Sequence, residues 1–220
     1  IDPVAIDPSG LSTLDAWQPS IEGDLLAYQM SAGGTEESIL RVLDVSTGEL
    51  VDGPIDRARY SPVAWLPGGE RFYYVRRLHP DLVPEDEQQF HRRVYLRTLG
   101  TPPESDVEVL GEGLTITNYY GASVSRDGRW LQISSSEGTE PRNDLWIADL
   151  TTCELTNPDL VEVQIDVDAQ TSFSIGRDGR AYVATDLDAS RGRIAVTDPT
   201  TPTIEHWREL IAEDETAVLN

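Results

Sequence analysis

The side chains that could do chemistry in this 220-residue chain are few in kind. A hydrolase-type serine nucleophile needs a Gly-x-Ser-x-Gly elbow on a strand-to-helix turn. The nearest match, Gly121-Ala-Ser-Val-Ser125, lacks the second glycine and falls on an expected strand that leads into a hairpin. His79 and His91 flank one loop and His206 is remote, so the histidines form no metal-binding pattern and read as surface residues. Asp166 with Asp168, and Asp186 with Asp188, resemble acid–base pairs, but 39 acidic residues in one chain bring such pairs together by chance. Neither pair has the further acids and glycine of a calcium loop. All 17 basic residues are arginine, which removes Schiff-base and lysine-nucleophile chemistry. Cys153 stands alone, which removes intrachain disulfides and cysteine zinc sites and allows a reducing, cytoplasmic setting. These residues assign no catalytic group, metal or cofactor to the chain.

The elements around them form a repeat. Residues 122–135 read as two strands about an Asp127-Gly128 turn, where glycine supplies the positive φ that a tight hairpin needs. A third, alternating strand follows over 144–150. The same pattern recurs at Gly23, Gly69 and Gly179, giving steps of 46, 59 and 51 residues between turn glycines. Each turn precedes an apolar run, at 25–28, 72–75, 130–133 and 181–184, and then a further strand, at 39–45, 93–99, 145–150 and 193–198. Such spacing suits four-stranded propeller blades joined by loops of variable length, in preference to a sandwich. Residues 1–10, with Pro3 and Pro8, read as a non-helical connector, and 75–93 as an exposed loop.

Composition narrows the partners. With 39% hydrophobic residues the chain can build a substantial core, and its formal net charge of −22 argues against nucleic acid and anionic membranes. Acidic solvated loops account for most of that charge, while a basic ligand remains compatible with it. The start, Ile1-Asp-Pro-Val, has no signal-peptide character, and no run of about eighteen apolar residues occurs, so the chain is expected to be soluble.

In their order, several segments resemble the propeller domain of the prolyl oligopeptidase (prolyl endopeptidase) family. They are Leu26-Ala-Tyr28, Leu40-Arg-Val-Leu-Asp-Val-Ser-Thr-Gly-Glu49, Tyr60-Ser-Pro-Val-Ala-Trp65 with Phe72-Tyr-Tyr-Val75, Arg93-Val-Tyr-Leu-Arg-Thr-Leu-Gly-Thr101 with Ser105-Asp-Val-Glu-Val-Leu110, Ser125-Arg-Asp-Gly-Arg129, Asn143-Asp-Leu-Trp-Ile-Ala-Asp-Leu150, and Trp207-Arg-Glu-Leu-Ile211. The resemblance implies an all-β fold across residues 1–220: four four-stranded antiparallel blades, plus the start of another after residue 213, from the interior of a seven-bladed propeller. It implies a parent serine peptidase that cuts short peptides after proline, with the triad in an α/β-hydrolase domain outside this chain. An oligopeptidase B-type parent, cutting after basic residues, and a stand-alone binding propeller are the alternatives.

Residue by residue, the resemblance implies that Tyr60 lines the substrate cavity, that Tyr119 or Tyr120 fills a second aromatic position, and that Thr139 is a small residue of the same pocket. Ser136 stands where the family has a substrate-binding arginine. Glu36 stands at the acidic position of an interdomain latch, and Glu37 replaces the tryptophan that follows it. Ordinary packing between blades is the competing role for the aromatic residues. Expected partners are the catalytic domain and short peptides, and a fragment with an open strand edge and an exposed apolar blade face is expected to self-associate.

Overall fold

The computed structural model describes residues 1–35 and 37–219. Its regular structure is almost entirely antiparallel sheet, in two compact units, Ile1–Ile116 and Thr117–Asn220, each carrying two four-stranded sheets. In the first unit, β1 (Ser12–Pro19), β2 (Leu25–Ala32), β3 (Ile39–Asp44) and β4 (Leu50–Ile55) pair in chain order. The second sheet there is β5 (Val63–Trp65), β6 (Arg71–Arg77), β7 (Arg92–Thr98) and β8 (Val107–Leu110). The second unit holds β9 (Asn118–Val124), β10 (Trp130–Glu137), β11 (Asp144–Asp149) and β12 (Val161–Gln164), then β13 (Thr171–Ile175), β14 (Ala181–Thr185), β15 (Arg193–Thr197) and β16 (Arg208–Ile211). These are the expected blades, shifted by a residue at some ends.

The turn glycines explain why the four sheets start alike. Gly23, Gly69, Gly128 and Gly179 have φ of +83°, +68°, +75° and +78°, a region side-chain-bearing residues rarely adopt. In each case the glycine amide donates to the carbonyl three residues back, at 3.1, 3.3, 2.8 and 3.0 Å. A second repeat, unnoticed in the sequence, closes the β3–β4, β11–β12 and β15–β16 turns. There Asp44, Asp149 and Asp198 accept from the amides of Ser46, Thr151 and Thr200 at 2.8, 3.0 and 2.9 Å. The remaining sheet has Leu99-Gly100 at that place, and Gly100 donates its amide at 3.2 Å to Asp52 of the neighbouring sheet.

In the first unit the seam between sheets is an apolar cluster of Ala27, Leu40, Val42 and Ile55 against Trp65, Phe72 and Tyr74. Trp65 and Phe72 pack edge-on with ring centroids 4.9 Å apart, and the Trp65 indole donates to the Gln18 carbonyl at 3.1 Å. In the second unit Trp130, Leu145, Ile147 and Val163 meet Phe173, Ile175 and Trp207. Burying such side chains stabilises by about 1.5–3 kcal/mol each.

The connector at the start contains a one-turn helix, α1 (Pro3–Ile6), contrary to expectation. Pro3 occupies its first turn, where a missing N–H costs nothing, and Asp2 caps it by accepting from the Val4 amide at 3.0 Å. In the 75–93 stretch, β6 runs on to Arg77 before two short 3-10 turns, at Pro80–Leu82 and Glu85–Glu87, so only part of that stretch is loop. Residues 212–219 carry no strand, and the Leu219 amide donates to the Arg191 carbonyl at 2.7 Å.

Candidate functional site

The candidate cavity residues sit at strand starts and turns. Tyr60 lies in the β4–β5 connection of the first unit with φ +57°, and Arg57 three residues earlier has the same value. Left-handed backbone at two residues bearing large side chains costs of order 1–3 kcal/mol each, and such strain concentrates at functional sites. The result is a tyrosine with 58% of its surface exposed, its hydroxyl receiving Arg59 Nη2 at 3.1 Å and its ring 4.8 Å from the Arg59 guanidinium carbon.

In the second unit the β9–β10 register puts Tyr119 directly opposite Ser136, and Tyr120 opposite Ser135. Because side chains alternate along a strand, only one tyrosine can share a face with Ser136. It is Tyr119, 38% exposed, whereas Tyr120 is 5% exposed and belongs to the core on the other face. Thr139 follows in the exposed turn after β10. Tyr119, Ser136 and Thr139 are thus neighbours at one end of this sheet. Glu36 lies outside the described residues. Glu37 beside it is ion-paired with Arg77, a buried side chain whose Nη1 also donates to the Gln88 carbonyl at 3.2 Å.

Sequence reasoning missed a buried ionic cluster in the first unit. Arg97, on β7, binds Asp52 on β4 through Nε and Nη2 at 2.6 and 2.7 Å and Asp106 through Nη1 at 2.9 Å. The Tyr74 hydroxyl donates to Asp106 at 2.6 Å. Burial works against the charge on Arg97, but the Asp52 hydrogen bonds and the charge of Asp106 outweigh it and hold the guanidinium firmly protonated. For Tyr74, burial first and the adjacent Asp106 charge second push the phenol far above its ordinary value. The cluster has every polar atom engaged and is shut from solvent, with side-chain exposures of 1%, 4% and 2% for Arg97, Asp52 and Asp106. It bolts two sheets together and has no open face for a substrate. Nothing in the sequence marked it: Arg93 and Arg97 fall on the same side of their strand, which alternation would read as its solvent face.

The three histidines are accounted for by neighbours: His91 bonds Glu87 at 2.6 Å, His79 receives the Asp81 amide at 3.3 Å, and His206 meets the Thr203 hydroxyl at 3.0 Å. No helix among the described residues is long and apolar enough to cross a membrane.

The comparison with known families agrees with this architecture. The family model described as the prolyl oligopeptidase N-terminal β-propeller domain matches residues 2–220. Prolyl endopeptidase of Elizabethkingia meningoseptica is 28% identical over 215 residues, covering 97% of this chain and 30% of that protein. Prolyl oligopeptidase A of Amanita bisporigera is 25% identical, covering 100% of this chain and 31% of that protein. A structure from a study of two prolyl endopeptidases, concerned with inter-domain dynamics in catalysis and specificity, superposes with a TM-score of 0.87 at 28% identity over 98% of this chain and 31% of its own. Oligopeptidase B from Leishmania major, at 16% identity and a TM-score of 0.78 over 98% of this chain and 29% of its own, shares the fold. The chain therefore spans about 30% of the length of the curated relatives it matches. With the family model covering residues 2–220 and the four blade-like sheets described above, the chain belongs to the N-terminal β-propeller domain family of prolyl oligopeptidases.

Proposed function

We propose that this chain is the gating, substrate-filtering domain of a prolyl oligopeptidase-type serine peptidase, and that the parent hydrolyses short peptides after proline in the cytoplasm. The match of the family model to residues 2–220 carries the reading, supported by relatives named prolyl endopeptidase and prolyl oligopeptidase. The propeller caps an α/β-hydrolase domain of the same parent, where a Ser-His-Asp triad performs acyl transfer. This chain contributes no catalytic residue. Its part is to admit extended peptides and exclude folded ones, with Tyr60, the exposed Tyr119, Ser136 and Thr139 facing the cavity. Aromatic residues suit that role because they offer wide apolar contact at low entropic cost. Glu36 serves as a latch residue to the catalytic domain, since an exposed charge pair is weak enough to open and close.

A second reading, cleavage after basic residues as in oligopeptidase B, draws support from the net charge of −22, which would concentrate basic peptides. A matched peptide panel differing only in proline or arginine at the cleaved position separates the two. The longer protein is expected to cleave the proline series, and dominance of the arginine series would overturn the first reading. In that protein, Tyr119→Ala and Tyr60→Ala raise KM several-fold with little change in kcat, the pattern of lost uniform binding. A change in kcat alone would remove both from the cavity. Exposed apolar residues on the edge strands β1, β4 and β16, Trp17 at 62%, Leu50 at 60% and Ile211 at 52%, support self-association of the isolated chain. Sedimentation that stays monomeric at every concentration would contradict it.

A further inference from the structure

The tetrapeptide Arg-Asp-Gly-Arg occurs twice in the second unit, at 126–129 in the β9–β10 turn and at 177–180 in the β13–β14 turn. The first unit has no arginine at the matching places, where its two turns carry Ile21 and Asp24, and Pro67 and Glu70. In each copy the second arginine is paired, Arg129 with Asp149 at 2.6 Å and Arg180 with Asp178 at 2.7 Å. The first arginine of each copy, Arg126 or Arg177, is exposed, and its guanidinium has neither a hydrogen bond nor an ion pair to any described residue. With 39 acidic residues against 17 basic ones, carboxylates are in ample supply, so two unpaired cations at repeated places are not a result of scarcity.

Both of these arginines line one groove of ≈ 500 Å³ between the two turns, within the roughly 300–1,000 Å³ of small-ligand pockets. Gly179, at φ +78°, borders it with nothing within 4 Å of where a Cβ would lie, so the backbone there faces open space. The one carboxylate on the groove, that of Asp127, is held within its own turn. Its Oδ1 accepts from the Ser125 hydroxyl at 2.5 Å and from the Arg129 amide at 3.2 Å. These bonds, the Ser125 hydroxyl foremost, keep the Asp127 carboxyl below its ordinary range and therefore charged at neutral pH. Two guanidinium groups against one carboxylate leave the groove with a surplus of positive charge in a chain whose net charge is −22. A ligand with a single negative charge gains little beside Asp127, whereas a compact group with two or more charges can engage both guanidinium forks at once. Phosphoryl groups carry that much charge in a small volume, while carboxylates must be spread along a carbon chain to match it.

We propose that this groove binds a small polyphosphate anion, whose phosphoryl oxygens accept hydrogen bonds from the Arg126 and Arg177 guanidinium groups. Such an anion ties the β9–β10 turn of one sheet to the β13–β14 turn of the next, so its binding also stabilises the second unit. The groove uses none of the residues assigned to the substrate cavity or the latch, and the site stands or falls apart from the peptidase reading.

The test is an NMR titration of the 220-residue chain with inorganic pyrophosphate at low ionic strength, with citrate and acetate as carboxylate controls. Saturable shifts are expected at the backbone amides of Arg126, Asp127, Arg177 and Asp178 and at the Nε–H of both arginines. The expected Kd is about 0.1–1 mM, rising with added salt. Citrate should bind at least about fivefold more weakly, and acetate should not saturate. Arg126→Gln and Arg177→Gln alter exposed turn residues, so the spectrum keeps its native dispersion. Each should weaken pyrophosphate binding by about fivefold or more and remove the rise in melting temperature that pyrophosphate causes. Arg142→Gln removes the same charge away from the groove, at an arginine paired with Glu140, and should change neither quantity. An equal loss in that variant would reveal a diffuse charge effect and overturn the proposal. Absence of saturable shifts, shifts confined to other residues, citrate binding as tight as pyrophosphate, or unchanged affinity in either groove variant would overturn it as well.

Discussion

The two units solve the same problem, joining one four-stranded sheet to the next, with different chemistry. In the first unit the seam carries charge: Arg97 meets Asp52 of the facing sheet, and among the described residues the charged residues buried as a whole, Asp52, Arg76, Arg77, Arg92, Arg93 and Arg97, all belong to this unit. In the second unit the buried polar residues are neutral, with Asn143, Gln164, Thr171 and Thr185 forming one network. The Arg97–Asp52–Asp106 cluster is closed on itself, and the neutral network borders a cleft. A fully paired guanidinium fixes geometry through several directed bonds at once, whereas hydroxyls and carboxamides satisfy one another in pairs and tolerate space alongside.

The largest effect should come from breaking the ionic seam. Arg97→Leu strands Asp52 and Asp106 in a dry interior, and urea denaturation is expected to show a loss of about 3–5 kcal/mol. The double variant Arg97→Leu with Asp52→Leu should cost clearly less than the two single losses combined, because two uncompensated charges leave together. Strict additivity would show that the cluster is not a unit. Next in size is Asn143→Ala, which orphans both the N–H and the carbonyl of Thr171; about 1–3 kcal/mol is expected from the same measurement. A loss equal to that of Arg97→Leu would erase the distinction between the seams.

The smallest predicted effect concerns acid. A hydrogen bond from Arg129 is the main reason that the Asp149 carboxyl titrates at about 2 in place of the ordinary 3.8. Its folded pKa lies below its unfolded one, so its contribution to stability is full above 3.8 and fades as pH falls towards 2. Asp149→Asn should lower stability slightly at neutral pH, where the contribution is full, and flatten the fall of stability across that window, so that variant and parent converge in acid. Since Arg129 is substantially exposed, solvent screening keeps the effect small. An equally steep acid limb in the variant would move the sensitivity elsewhere.

Much of this fold was legible because its signals are local and recur. A positive-φ glycine followed by an apolar run needs only a few residues to be recognised, and four copies fixed the blades. The aspartates at 44, 149 and 198 were equally local, yet their turn role was hidden among 39 acids. The seams were not legible, because Arg97 and Asp52 meet across 45 residues of sequence and nothing near either names the other. Tyr119 and Tyr120 show the intermediate case. Adjacent residues must face opposite ways, but only the register against Ser135 and Ser136 says which one is exposed.

The central claim, that this domain filters substrates by size for a proline-specific peptidase, is tested most directly on the longer protein with one proline-containing sequence presented in two ways. As a free short peptide it should be cut after proline, and held within a stably folded protein it should be spared. Equal cleavage of both, or cleavage of neither after proline, would contradict the account.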